Sequence, residues 1–131
     1  IVGNGPKKDK LMSIKEKEGL YNVFMHESVS KHCILNTIRD SAAGIIPLKK
    51  LDLFKGAIPS KIFDYLLLEK PILLGVDGEA RELFINKAEA GLYFAPGNVD
   101  ELKEACFDAE HKRRKDNKLY EREQDKDFCR L

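Results

Sequence analysis

Long apolar runs are missing from this chain. Tyr65–Leu68 and Ile72–Leu74 are far shorter than the ~20 residues a membrane-spanning helix requires. An excess of charge is missing too: 23 basic and 22 acidic side chains leave a formal net charge of +1, which gives no electrostatic basis for nucleic acid as a main partner. Cysteine is scarce. Cys33, Cys106 and Cys129 lie far apart, are odd in number and form no CxxC pair, so neither a zinc site nor a disulfide framework is indicated. A reducing cytoplasm is the expected location. No leader-type segment is visible, because Ile1-Val2 gives way at once to Gly3-Asn4-Gly5-Pro6. The first residue is not methionine and falls in a strand-like stretch, so the sequence reads as a piece of a longer chain.

What is present is the composition of an ordinary globular protein, 43% hydrophobic and 34% charged, at a length of 131 residues that suits a single core. Ile1-Val2 reads as the end of a strand, and Pro6 suits the first turn of a helix. Leu11 and Ile14 supply a narrow helical stripe that Gly19 ends. Asn22–Met25 reads as a short strand. Ser30 is placed to cap a second helix with Ile34, Leu35 and Ile38 on one face. Ala43–Ile46 is a buried-strand signal closed by Pro47. After the loop Leu48–Ile58, Pro59 and Ser60 open a third helix. Ile62, Phe63, Leu66 and Leu67 are its expected buried stripe, and Lys70-Pro71 stops it.

Ile72–Val76 is another buried strand, followed by Asp77-Gly78 and a short helix through Phe84. Gly91–Phe94 is the next strand. Asn98 and Glu101 have capping-box spacing at the start of a helix to Ala109. Strands and helices alternating through short Gly/Pro joints predict parallel βαβ units: an α/β, Rossmann-like sheet with helices on both faces. This domain is expected over residues 1–109. Residues 110–131 read as a charged, partly helical tail, poor in core residues until Phe128 and Leu131.

In such sheets ligands bind at the carboxyl ends of the strands. Gly3 and Gly5 in the first turn would let backbone approach a phosphate, although a plain tight turn is the commoner reason for such glycines. The turn Gly56-Ala57-Ile58-Pro59-Ser60-Lys61 carries more. Its small residues leave room for a ligand, and the helix start presents unpaired amides to an anion. Ser60 adds a hydroxyl and Lys61 a cation, and Asp64 shares their helix face. A serine cap, a solvated lysine and an aspartate paired with it remain the alternative.

The series IVGNGP, YNVF, AAGIIPL, GAIPSKIFDYLLLEKPILLGVDGEARELF and AGLYFAPGNVDELKEA, spanning Ile1 to Ala109, resembles the group 1 (family 4) glycosyltransferases, the retaining GT-B class. It is closest in style to bacterial capsule and O-antigen sugar transferases with a Pro-Ser-Lys helix start. The resemblance implies the C-terminal, donor-binding domain, with the acceptor held by an N-terminal domain of the parent enzyme. It implies a nucleotide-sugar donor of UDP type, no cofactor and no essential metal. The loop His26-Glu27-Ser28-Val29 would lie near the nucleobase, and backbone around Ala57–Lys61 would take the pyrophosphate. Two family glutamates separated by seven residues fall here on Gly56 and Asp64. Asp64 keeps a carboxylate, one methylene shorter, for the ribose hydroxyls, whereas Gly56 has no side chain for the sugar's hydroxyls.

The family's first strand of this domain would precede Ile1, so the expected sheet lacks its central strand, and pairing between chains through exposed strand edges becomes an expectation. No catalytic residue is assignable. His26, His32 and His111 are not at metal-ligand spacing, and His26 reads as loop packing rather than a ligand contact. Asp77-Gly78-Glu79 could meet a donor, but turn and cap duties account for it. The basic run His111–Lys115 reads as a solvated face, with peripheral association to a membrane as the alternative. The expected function is donor binding in a glycosyltransferase acting on a lipid- or glycan-linked acceptor in surface-polysaccharide synthesis. The rivals are a GT-B sugar-nucleotide 2-epimerase and a non-catalytic α/β binding module.

Overall fold

Apolar runs of four residues between turn residues are long enough to cross a sheet and too short for a helix, and two of them set the centre of this fold. The computed structural model describes residues 1–116. Strand β1 (Gly44–Pro47), strand β2 (Ile72–Gly75) and strand β3 (Gly91–Tyr93) form a parallel sheet in the order β1-β2-β3. Register aligns Ile45 with Leu73 and Leu73 with Leu92. All of β2 is buried, as a central parallel strand should be.

Side chains alternate across β2 and so serve two cores. Ile72 and Leu74 face a cluster with Ile46, Ile62, Val76 and Ala80. Leu73 faces the other way, toward Phe94, Ala105 and half-buried Leu102. Helix α3 (Lys61–Leu67) and helix α4 (Glu79–Arg81), which continues as a π-helical turn over Glu82–Lys87, cover the first face. Helix α5 (Val99–Asp116) covers the second. The Rossmann-like α/β arrangement with helices on both faces is therefore present.

Contacts divide the chain into two compact units, Ile1–Ile34 and Leu35–Leu131. The first holds helix α1 (Lys8–Lys17), and helix α2 (Lys31–Asp40) runs across the division. The expected strands at Ile1-Val2 and Asn22–Met25 reduce to one parallel bridge, Val2 with His26. Two hydrogen bonds carry it, His26 N to Ile1 O at 2.8 Å and Gly3 N to His26 O at 3.0 Å, and Ile1 N donates to Phe24 O at 2.8 Å beside them. A pairing this short leaves too few ladder bonds to build a strand on either side.

Several local expectations change in detail. Ser30 does cap α2, its Oγ accepting from Cys33 N at 3.3 Å, and Ile38 is buried beside half-buried Ile34 and Leu35. Asn98 and Glu101 close the α5 start: Asn98 Oδ1 accepts from Glu101 N at 3.2 Å, and Glu101 reaches back to Ala95 N at 2.7 Å. That helix continues past Ala109 to Asp116. The stripe of α3 is Ile62, Tyr65 and Leu66; Phe63 and Leu67 stay 54% and 74% exposed. The reason is rotational, since a seven-residue helix has room for one i, i+3, i+4 face and Tyr65 occupies it, its ring lying where a Cβ at Gly44 would sit. The helix after Gly78 runs beyond Phe84 to Lys87. Phe128, Leu131 and Cys129 lie outside the described residues, as do the side chains of the basic run beyond Lys112.

Candidate functional site

The carboxyl ends of the three strands supply one rim. Leu48 follows β1, Val76 and Asp77 follow β2, and Pro96 lies shortly after β3, and all four border a cavity of about 480 Å³. Its outer wall is the β1–α3 loop. That wall begins where Leu48 N donates to Gly75 O at 3.0 Å, then coils into a single 3-10 turn over Asp52–Phe54. Leu51 and Phe54 bring apolar surface to the lining, and Lys49, Lys50, Asp52 and Lys55 bring charge.

The wall is fastened to the sheet by backbone. Glu79 N donates to Lys55 O at 2.8 Å. Gly78 between the two segments has φ +82°, and a Cβ there would stand 2.1 Å from that same carbonyl oxygen. Only glycine accommodates both the conformation and the contact. The Asp77-Gly78-Glu79 segment therefore does more than turn the chain. No side chain caps α4. Instead Asp77 Oδ1 accepts from Arg81 Nη1 at 3.2 Å and from Tyr93 Oη at 2.9 Å, while the Arg81 guanidinium lies 3.8 Å from the Tyr93 ring centroid. Burial, and then the bond to Asp77, push the Tyr93 phenol above its ordinary pKa. Arg81 Nε is buried without a hydrogen-bond partner among the described residues. Sequence reading missed this triad. The i, i+4 spacing of Asp77 and Arg81 was its only trace, because Tyr93 joins them from another strand.

The motif residues from Gly56 to Asp64 follow directly on Lys55, and none of them lines the cavity. Gly56 is exposed, and a Cβ there would meet nothing within 4 Å. The Ala57 amide already donates to Phe54 O at 3.0 Å, and Pro59 has no N–H. The amides of Ile58, Ser60 and Lys61 have no backbone acceptor among the described residues, so they are the donors this turn can offer an anion. Ser60 is helical in conformation (φ −57°, ψ −25°) and makes no side-chain cap, which corrects the cap reading. A helical backbone at Ser60 points its hydroxyl away from the amides it would have to accept from. Its hydroxyl and the Lys61 ammonium are exposed, and Asp64 is half-buried on the same short helix.

Gly3, Gly5, Ser28 and Val29 belong to the first unit. Gly3 has φ +147° and open space around a Cβ, so conformation rather than crowding selects glycine there. Gly5, Ser28 and Val29 are exposed. A clasp joins their two loops: Lys8 Nζ donates to Asn4 Oδ1 at 3.1 Å and pairs with Glu27, whose carboxyl it holds below the usual range. His26 sits in the bridge, and the His111 ring contacts Phe107 O at 3.1 Å. No helix among the described residues is long and apolar enough to cross a membrane.

The comparisons with known proteins join this geometry to a family. No characterised protein and no solved structure matches the chain. The family model described as "Glycosyl transferases group 1" matches residues 1–126. The chain belongs to that family.

Proposed function

We propose, with group 1 membership as the premise, that this chain is the C-terminal, donor-binding part of a retaining glycosyltransferase. Its parent enzyme would move a sugar from a UDP-type donor to a lipid- or glycan-linked acceptor in surface-polysaccharide assembly, at the cytoplasmic face of a membrane. The observation that carries this reading is the β1–α3 turn. It brings the amides of Ile58, Ser60 and Lys61, which have no backbone acceptor among the described residues, the Lys61 ammonium and the Ser60 hydroxyl to the start of the short helix that carries Asp64 and leaves the sheet's carboxyl edge. Amides and Lys61 take the diphosphate, and Asp64 takes the ribose hydroxyls. The positive charge that a metal would bring to a diphosphate comes from this helix start, so no essential metal is invoked. Gly3, Gly5, Ser28 and Val29 are assigned to the nucleotide by the family pattern. Association of chains through strand edges belongs to the same reading, and sedimentation velocity on the full chain would detect it.

Calorimetry with UDP tests the reading. Binding is expected, with Asp64→Ala weakening it about tenfold, the scale of a lost hydrogen bond to a charged group. Equal affinity in a variant of unchanged circular dichroism would remove Asp64 from the site. No heat with UDP at millimolar concentration would remove the donor role altogether.

A further inference from the structure

The cavity beside the donor turn has a charge balance of its own. Asp52, on its wall, is paired with Lys55 at 2.7 Å. Asp77, on its floor, is matched by Arg81 at 3.2 Å. Each lining carboxylate thus has its own cation. Lys49 and Lys50 also line the cavity and form no ion pair among the described residues. Both lysines are exposed; the charge they add to this rim is positive, and it stands beside apolar lining from Phe54, Val76 and Pro96, so its pull on an anion weakens as salt rises. Gly56, next to Lys55 along the chain, adds no side chain and no negative charge. A neutral sugar would gain little from two ammonium groups and would partly desolvate them. A carboxylate would pair with them.

We propose that this cavity holds the sugar half of the donor and that the sugar is acidic, of the hexuronate class, with its carboxylate on Lys49 and Lys50. The inference rests on the donor-binding reading. There the diphosphate occupies the Ile58–Lys61 turn, and the cavity adjoining Lys55 is left for the group beyond it. The loop that carries the two lysines is tied at its start by the Leu48–Gly75 backbone bond at 3.0 Å and at its end by the Lys55–Glu79 backbone bond at 2.8 Å.

Calorimetry on the full chain with UDP, UDP-glucose and UDP-glucuronate at low salt separates the possibilities. UDP-glucuronate is expected to bind about tenfold more tightly than UDP-glucose, and the preference should shrink as salt rises. The double variant Lys49→Gln/Lys50→Gln should bring the ratio to about one, while Lys103→Gln on the exposed face of α5 leaves it unchanged. Equal affinity for the two sugars in the unmodified chain overturns the proposal without any variant, so a misfolded double variant does not protect it. If UDP alone loses as much affinity in the variant as UDP-glucuronate does, the lysines hold the diphosphate and the acidic-sugar assignment fails while donor binding stands. Failure of all three ligands to bind overturns both.

Discussion

Glu69 has φ +54°, a left-handed conformation that side-chain-bearing residues resist. It sits there to end α3. Its amide reaches Leu66 O at 3.0 Å and the next amide, of Lys70, reaches back to Tyr65 O at 2.9 Å, a closure that glycine makes without strain. Glu69→Gly is expected to stabilise the protein by about 0.5–1 kcal/mol, because relief of the left-handed strain exceeds the added chain entropy. A thermal midpoint raised by about 2–6 °C would show it, and an unchanged or lowered midpoint would refute it. Residues that act through near neighbours were the ones legible in the sequence. Ser30 and Asn98 cap the helices they precede, and Glu101 closes the α5 start from inside its first turn, because a cap needs only a spacing of a few residues. Ser60 has equally good spacing and fails to cap, since its backbone is already helical, and backbone angles are not written in residue order.

Single elements were legible where both flanking signals agreed. The buried runs around Ile46 and Leu74 emerged as adjacent parallel strands because each is bounded by turn residues and joined through a helix. The rotation of α3 was not legible. Phe63 and Tyr65 lie on opposite sides of α3, and which side turns inward depends on the gap over Gly44 in a different element. The Asp77–Arg81–Tyr93 triad is hidden for the same reason. Its consequence is a pH dependence at the alkaline end. Burial first, then Asp77, raises the Tyr93 pKa, and burial first, then Asp64, raises that of Tyr65. An unfolded tyrosine ionises near pH ~10, so both contributions are complete below that pH and are lost as pH rises through the higher folded values. Urea midpoints should hold steady from neutrality and fall above pH ~10. Tyr93→Phe should blunt that fall and delete one late step from the tyrosinate absorbance titration. Loss of an early step instead of a late one would show that Tyr93 ionises as freely as an exposed tyrosine.

At the scale of the whole molecule, the buried side chains are unevenly distributed. Among the described residues every buried hydrophobic one, from Ile38 to Ala105, lies in the second unit, and none lies among residues 1–34. Helix α1 buries nothing; Leu11 and Ile14, expected as its inward stripe, are 45% and 42% exposed. Sequence periodicity announces an apolar face but not whether a neighbour covers it, which is why this unit read as strand–helix–strand and emerged as one bridge and one exposed helix. Hydrogen bonds without burial are opened by local fluctuation, whereas those of the sheet require loss of both cores. Amide exchange should therefore separate the two units. The Gly3 and His26 amides, bonded at 3.0 and 2.8 Å, should exchange at least ~100-fold faster than the Ile72 and Phe94 amides, bonded at 3.0 and 3.1 Å. The bond lengths are alike, so such a difference would come from burial rather than from bond geometry. Protection of Gly3 and His26 equal to that of Ile72 would mean that the first unit opens only when the sheet does.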